Sequence, residues 1–113
     1  MYVNNSELVA ELDRCVEAGE LLDGFATLAI YVATGHIANK YRYFPHWVRD
    51  EFQSDFQLRL VKGWQKIDRT KNIHAYICRT ADFAALTRIR GNKRYGVGLA
   101  KVSALVKNFE ERI

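Results

Sequence analysis

The chain has 113 residues, of which 49% are hydrophobic, and a formal net charge of +4. This length provides one domain with a real hydrophobic core and excludes a core combined with a separate elaborate module. Its apolar stretches are too short to cross a bilayer and its first helix is acidic, so neither a membrane association nor a signal peptide is predicted.

An all-α fold, in the form of a compact helical bundle, is predicted because the chain has a single proline, Pro45, and few clusters of turn-forming residues. Asn4 or Asn5 caps the first helix, and Glu7 follows Asn4 at the spacing of a capping box. This helix is expected to end near Gly19. Its apolar stripe consists of Leu8, Leu12, Cys15 and Val16.

The second predicted helix runs from about Asp23 to Lys40 and has a wide apolar face, which is typical of a central core helix. The residues expected to face inward are Phe25, Leu28, Ala29, Val32, Ala33, His36 and Ile37. The segment 41–46 contains Pro45 and interrupts the helical pattern.

The third predicted helix opens at Trp47, and its two faces differ in character. The core stripe consists of Val48, Phe52, Phe56, Leu60, Gly63 and Trp64. The opposite side carries Glu51, Ser54, Leu58 and Val61, with Asp55 beside it. Exposed aliphatic residues among carboxylates favour docking on a protein partner. The alternative is that Leu58 and Val61 face a further helix of the same bundle.

The fourth predicted helix follows a short basic loop, Asp68 to Lys71, and is capped by Asn72. Ile73, Ile77, Ala81 and Ala84 are expected to turn inward, and Tyr76, Arg79, Phe83, Leu86 and Arg90 outward. Aromatic rings that alternate with guanidinium groups favour unpaired or partly melted nucleic acid, because bases stack on rings while phosphates pair with Arg. The alternative is that Tyr76 and Phe83 are core residues beneath the C-terminal segment.

Beyond the fourth helix, Gly91, Gly96 and Gly98 loosen the chain, and residues 99–113 form a further amphipathic helix or tail. The domain organisation is therefore predicted as residues 1–98 and a C-terminal segment of residues 99–113. The apolar positions of that segment are Leu99, Val102, Val106, Phe109 and Ile113.

Charge is divided unevenly along the chain. Residues 1–68 hold seven Lys and Arg against ten Asp and Glu, whereas residues 69–113 hold ten against three. An acidic half and a basic half in one domain indicate two different partners, one of them polyanionic. A cluster of cations surrounds the end of the fourth helix, and the alternative for it is ordinary solvated surface. The cluster consists of Arg88, Arg90, Lys93 and Arg94.

Catalytic chemistry is poorly supported by the sequence. The three histidines, at 36, 46 and 74, belong to no recognisable metal motif, and phosphate-binding glycine loops are absent from the sequence. Cys15 and Cys78 lack metal-binding spacing and are predicted to be reduced thiols in a cytoplasmic protein. We therefore expect a protein without enzymatic activity, metal or cofactor.

Residues 50–77, DEFQSDFQLRLVKGWQKIDRTKNIHAYI, resemble region 2 of bacterial sigma factors. The similarity lies in an acidic, Gln-containing helix that ends in the triplet Lys66, Ile67 and Asp68, followed by a basic loop and a Tyr-bearing DNA helix. The N-terminal YVNNSELV, the stretch KNIHAYI and the pair Arg88 and Ile89 are more closely similar to the late-transcription sigma factors of T-even-type bacteriophages. The resemblance covers about residues 2 to 95.

The resemblance implies a phage-type sigma factor that binds host core RNA polymerase and directs it to a −10-like late promoter element. The polymerase contact, with the clamp helices of the largest subunit, falls on Glu51, Ser54, Asp55, Leu58 and Val61. Recognition and melting of the −10 element, on its non-template strand, fall on Tyr76, Arg79, Thr80, Phe83 and Thr87. Further DNA contacts are expected at Lys71, Arg90, Lys93 and Arg94. The expected compartment is the cytoplasm of the bacterial host, where the protein would associate with the nucleoid.

The chain departs from the family pattern in two places. Cellular sigma factors have two adjacent tryptophans where this chain has Arg79 and Thr80, and nothing resembles region 4. The late sigma factors depend on a co-activator and on a sliding clamp that binds a hydrophobic C-terminal motif. Phe109 and Ile113 fit such a motif, and an intramolecular packing helix is the alternative.

The sequence is also compatible with two other classes of function. One is a small polymerase-binding inhibitor or co-activator that uses only the third helix. The other is a helical DNA-binding protein with no polymerase role.

Overall fold

The computed structural model describes residues 3–91 and places them in a compact bundle of four α-helices. The helices are α1 (Asn5–Ala18), α2 (Asp23–Lys40), α3 (His46–Gly63) and α4 (Ile73–Gly91), and a 3-10 turn (Trp64–Lys66) extends α3. The described part of the chain contains no strand, which confirms the all-α prediction. Within it, no helix combines the length and the apolar character that a bilayer crossing requires.

Helix α1 has the ends that the sequence predicts. The Asn4 side chain accepts a hydrogen bond of 2.9 Å from the Glu7 amide, which satisfies one of the free N–H groups of the first turn. Gly19 ends the helix with φ +73°, and its amide donates to the carbonyl oxygens of Cys15 and Val16. Leu8, Leu12 and Cys15 are buried as expected, but Val16 is 46% exposed, so its assignment to the core stripe was wrong.

Helix α2, which was predicted to be the central core helix, contacts each of the other three helices, and α4 does so too. Phe25, Ala29, Val32, Ala33 and Ile37 are buried, whereas the expected inward residues Leu28 and His36 are only half-buried. The segment between α2 and α3 buries two rings, Tyr41 and Phe44. Both rings pack edge-on against Phe52, with centroids 5.4 and 5.6 Å away.

Helix α3 buries Val48, Phe52, Phe56 and Leu60 of the predicted stripe, and Trp64 continues the stripe into the 3-10 turn. Gly63, which was also assigned to this stripe, is only half-buried. Ile67 is also buried and anchors the segment that leads from the turn to α4. The chain therefore reverses direction within a few residues, and α3 and α4 pack against each other.

Helix α4 is held at its start by two asparagines. The Asn72 side chain accepts a hydrogen bond of 3.0 Å from the Ala75 amide, which is the predicted cap. Asn5, from the start of α1, accepts a second bond of 2.7 Å from the Ile73 amide. Inward residues are Ile73, Ile77, Ala81 and Ala84 as predicted, together with Ala85. Three alanines on the buried face allow close packing against α2 and α3, and this packing fixes the direction of the outward face.

Candidate nucleic-acid and protein-partner surfaces

A groove of about 510 Å³ lies between the C-terminal half of α3 and the middle of α4. Four cationic side chains and two aromatic rings line it, together with a glycine and a threonine. The cations are Arg59, Lys62, Lys66 and Arg79, the rings are Tyr76 and Phe83, and the others are Gly63 and Thr80. A cationic groove with ring faces suits single-stranded nucleic acid, whose phosphates are anionic and whose bases stack.

The two rings differ in exposure. Phe83 is 60% exposed, in agreement with the predicted outward face. Tyr76 is only half-exposed and packs against the core, so the expectation of a fully outward ring is corrected. A Cβ atom at Gly63 would lie 3.9 Å from the Tyr76 hydroxyl, so this hydroxyl reaches across the groove to α3.

Both threonines of the predicted DNA face make intramolecular hydrogen bonds. The Thr80 hydroxyl donates to the Tyr76 carbonyl oxygen at 2.9 Å. The Thr87 hydroxyl accepts a bond of 3.2 Å from the Arg59 guanidinium, which places it in a second groove beside the first. The exposed side chain of Arg79 faces the main groove, whereas Arg90 is exposed in the last turn of α4.

Lys71 lies at the other end of this surface, in the loop before α4. It is exposed and borders a cavity of about 140 Å³ that also contacts Tyr76 and Arg79. The loop is shaped by Asp68, whose carboxylate accepts bonds from the hydroxyl and the amide of Thr70 at 2.6 and 2.9 Å. Both bonds lower the pKa of Asp68, and the bond from the Thr70 hydroxyl has the larger effect.

The predicted acidic face of α3 is not open. Arg88 on α4 donates two hydrogen bonds to the Asp55 carboxylate, at 2.5 and 2.8 Å, and lies 3.3 Å from the Glu51 carboxylate. All three side chains are half-buried between α3 and α4. The expectation that Glu51 and Asp55 point outward is therefore wrong. Arg88, which the helical wheel places near the inward stripe of α4, is half-buried and separate from the exposed Arg90.

The aliphatic part of that face is exposed, as predicted. Leu58 is 59% and Val61 61% exposed, and no further helix of the described bundle covers them. Ser54 is exposed beside them, with its hydroxyl bonded to the Asp50 carbonyl oxygen at 3.1 Å. Leu58 also borders the second groove, of about 600 Å³, with Asp55 and Arg88 at its edge.

Four residues predicted for sites lie outside the described residues. Lys93 and Arg94 were expected to contact DNA, and Phe109 and Ile113 to bind a sliding clamp. The predicted domain boundary at residues 98 and 99 lies there too.

The sequence-based prediction missed three of the groove cations, namely Arg59, Lys62 and Lys66. Each is exposed, with Arg59 and Lys62 on the edge of α3 that faces α4 and Lys66 in the 3-10 turn that follows α3. The available signal was the spacing of these residues, at i, i+3 and i+7, which forms a stripe along one side of a helix.

The sequence-based prediction also missed Asp82, the acceptor in a cluster that fastens α4 to the end of α2. Its carboxylate binds His36 at 2.8 Å, the Tyr41 hydroxyl at 2.9 Å and the Lys40 ammonium at 3.1 Å. Burial by itself raises the pKa of Asp82, but the three hydrogen bonds outweigh burial and hold that pKa below its ordinary value. The sequence feature that could have indicated this role is that Asp82 is the one acidic residue between positions 69 and 109, in an otherwise basic segment.

Some of the potential metal ligands lie close together in pairs. His46 lies 3.3 Å from Asp50, and the Cys78 sulfur lies 3.8 Å from His74 Nδ1. In the part of the chain that the structure describes, no three such side chains come together in a way that could hold a metal ion. Burial raises the pKa of the Cys78 thiol, and the negative charge of Asp82 raises it further.

Comparisons of the chain with protein-family models, with curated proteins and with solved structures find no match.

Proposed function

We propose that this chain is a sigma-type specificity subunit of the bacteriophage late-transcription kind. In this role it binds the core RNA polymerase of a bacterial host and directs the complex to a −10-like promoter element. The observation that carries the proposal is that α3 and α4 present an exposed aliphatic pair and a cationic, aromatic groove beside each other. The resemblance of residues 2 to 95 to sigma region 2 supports the same pair of partners.

The polymerase surface is centred on Leu58 and Val61, with Ser54 at its edge. These are the members of the proposed contact that remain open to a partner. Desolvation of two large aliphatic side chains provides the affinity of such a contact, while surrounding polar groups contribute mainly to specificity. Glu51 and Asp55 act indirectly in this proposal, because their bonds to Arg88 hold α3 against α4.

The DNA surface is the groove, with Phe83 and Tyr76 as the stacking rings and Arg79 as a phosphate contact. Thr80 lines this groove, and Thr87 lines the second groove beside it. Lys71 extends the cationic surface at the loop before α4, and Arg90 is exposed in the last turn of α4. The mechanism is not enzymatic. Stacking and phosphate contacts to the non-template strand offset the unpairing of A·T-rich steps, which costs on the order of a few kcal/mol for each step.

Two accessory partners belong to the proposal through the resemblance alone. They are a sliding clamp, bound through Phe109 and Ile113, and a separate co-activator. The compartment proposed with them is the cytoplasm of the bacterial host.

Run-off transcription with purified bacterial core polymerase tests the proposal. A template with a premelted, A·T-rich −10-like element is expected to give a transcript of defined length only when the chain is added. A template with that element scrambled is the control. A chain that binds the polymerase but suppresses transcription by a cellular sigma factor would instead be an inhibitor, and a chain that does not co-purify with polymerase would be a plain DNA-binding protein.

A further inference from the structure

The α3 side of the main groove is a row of cations. Arg59, Lys62 and Lys66 occur at intervals of three and four residues and are all exposed. No Asp or Glu of the described chain lies within ion-pair distance of Lys62 or Lys66, and the nearest carboxylate along α3, Asp55, is bound by Arg88. This wall therefore keeps its positive charge, and an anionic ligand can neutralise it.

The opposite wall, on α4, carries the rings. Tyr76 and Phe83 lie two turns apart on that helix and border the groove that the α3 cations border from the other side. The α3 side carries three of the four groove cations, and α4 carries both rings together with Arg79. Phosphates therefore favour the α3 side, and bases can stack on the α4 side.

We propose that a single strand of nucleic acid lies along this groove, with its phosphates on Arg59, Lys62 and Lys66 and its bases against Tyr76 and Phe83. From 59 to 66 the rise of the helix is about 10 Å, over which one strand at B-form spacing places about three phosphates. The inference rests on the proposed function in one respect, namely that the strand is the non-template strand of the promoter. It extends that function because it assigns a DNA contact to α3, which the resemblance assigns to polymerase alone.

The track continues past the main groove. The cavity of about 140 Å³ beside the loop before α4 shares Tyr76 and Arg79 with the main groove and adds Lys71. Asp68 also lines this cavity, so the strand passes from Phe83 towards Arg79 and Lys71, with one carboxylate at the loop end of the track.

The geometry favours a single strand over a duplex. Bases in a duplex are stacked on one another and expose only their edges in the grooves, so their faces are closed to protein rings. Phe83 and Tyr76 can stack only on bases that have left a duplex.

Fluorescence anisotropy with a short labelled oligothymidylate, on the full 113-residue chain without polymerase, tests the inference. Lys62→Gln with Lys66→Gln is expected to weaken binding about tenfold near 0.1 M salt. The salt slope is expected to fall by about 0.7 for each phosphate that the variant no longer neutralises. Arg14→Gln with Arg42→Gln is the matched control, since it removes the same charge from exposed positions outside the groove. The control pair is expected to leave most of the affinity intact.

Three results would overturn the inference: equal weakening by both pairs, an unchanged salt slope in the Lys62 and Lys66 pair, or a hairpin duplex bound as tightly as the single strand. Circular dichroism of each variant shows that the helices are retained. Co-purification with polymerase is measured in parallel and is expected to be unchanged. A chain that fails in transcription while its single-strand binding depends on these lysines would contradict the proposed function and leave the groove assignment in place.

Discussion

Arg88 on α4 donates two hydrogen bonds to the Asp55 carboxylate on α3, one of 2.5 Å from Nε and one of 2.8 Å from Nη2. The pair lies beside the groove that Leu58 also borders, where the two proposed surfaces meet. A bidentate guanidinium–carboxylate pair fixes orientation as well as distance. The contact therefore adds to the core packing that holds α3 and α4, and hence the two surfaces, in their relative position.

Asp55→Ala is expected to lower the free energy of unfolding by about 1.5–3 kcal/mol, because the half-buried Arg88 loses a charged hydrogen-bond partner. Urea denaturation measures the change, and a double-mutant cycle with Arg88→Ala isolates the pair. Ser54→Ala, on the exposed side of the same helix, is the control and is expected to change stability little. Unchanged stability together with a loss of polymerase binding would show that Asp55 is a direct docking residue.

Leu58→Asp is expected to abolish co-purification with core polymerase while the melting temperature stays nearly unchanged. The physical reason is that the side chain is 59% exposed and lies away from the buried stripe of Phe52 and Phe56. Gln57→Asp adds the same charge one residue earlier and is expected to retain binding. A large fall in melting temperature for Leu58→Asp would contradict the assignment, since it would show that the side chain stabilises the fold.

Phe83→Ala is expected to weaken binding to single-stranded −10 DNA by about 1–3 kcal/mol, the range for removal of one base stack, with no loss of stability. Tyr76→Ala is expected to reduce both DNA affinity and stability, because this ring also packs against the core. Leu86→Ala is the control on the outward side of the same helix. Anisotropy and thermal melting distinguish the two effects, and equal behaviour of the two aromatic variants would contradict the different exposures.

The contribution of Asp82 to stability is expected to disappear in acid. Its pKa is lower in the folded chain than in the unfolded chain, because the bonds from His36, Tyr41 and Lys40 outweigh burial. A lowered pKa stabilises the fold fully above the unfolded pKa, and the stabilisation is lost as pH falls below about 4 towards the folded pKa.

The measurement for Asp82 is the urea midpoint of the chain and of Asp82→Asn between about pH 7 and about pH 2.5. The difference between the two proteins is expected to be largest near neutrality and to shrink below about pH 4. Asp13→Asn, which breaks an exposed ion pair with Arg69, is the control with little effect at any pH. A difference that grows on acidification would have the wrong sign for a lowered pKa.

The sequence by itself determined the four helices and their buried faces. The Asn4 cap, the left-handed Gly19, the Asn72 cap and the stripe from Val48 to Leu60 all depend on neighbours within a few residues. Local spacing fixes such features, because capping bonds and helical periodicity involve one segment of chain. The exposure of Leu58, Val61 and Phe83 followed from the same periodicity, since each lies opposite a buried stripe.

Only the tertiary structure decided the residues at the edges of those stripes. Asp55, Tyr76 and Val16 occupy wheel positions between the buried and exposed faces, where the neighbouring helix determines the environment of a side chain. Asn5 caps α4 across 68 residues of sequence, and Asp82 meets His36 across 46. The groove itself exists because α3 and α4 pack beside each other, so that cations of one helix lie opposite the rings of the other. No local pattern contains that relationship, because it depends on which faces two distant segments bury together.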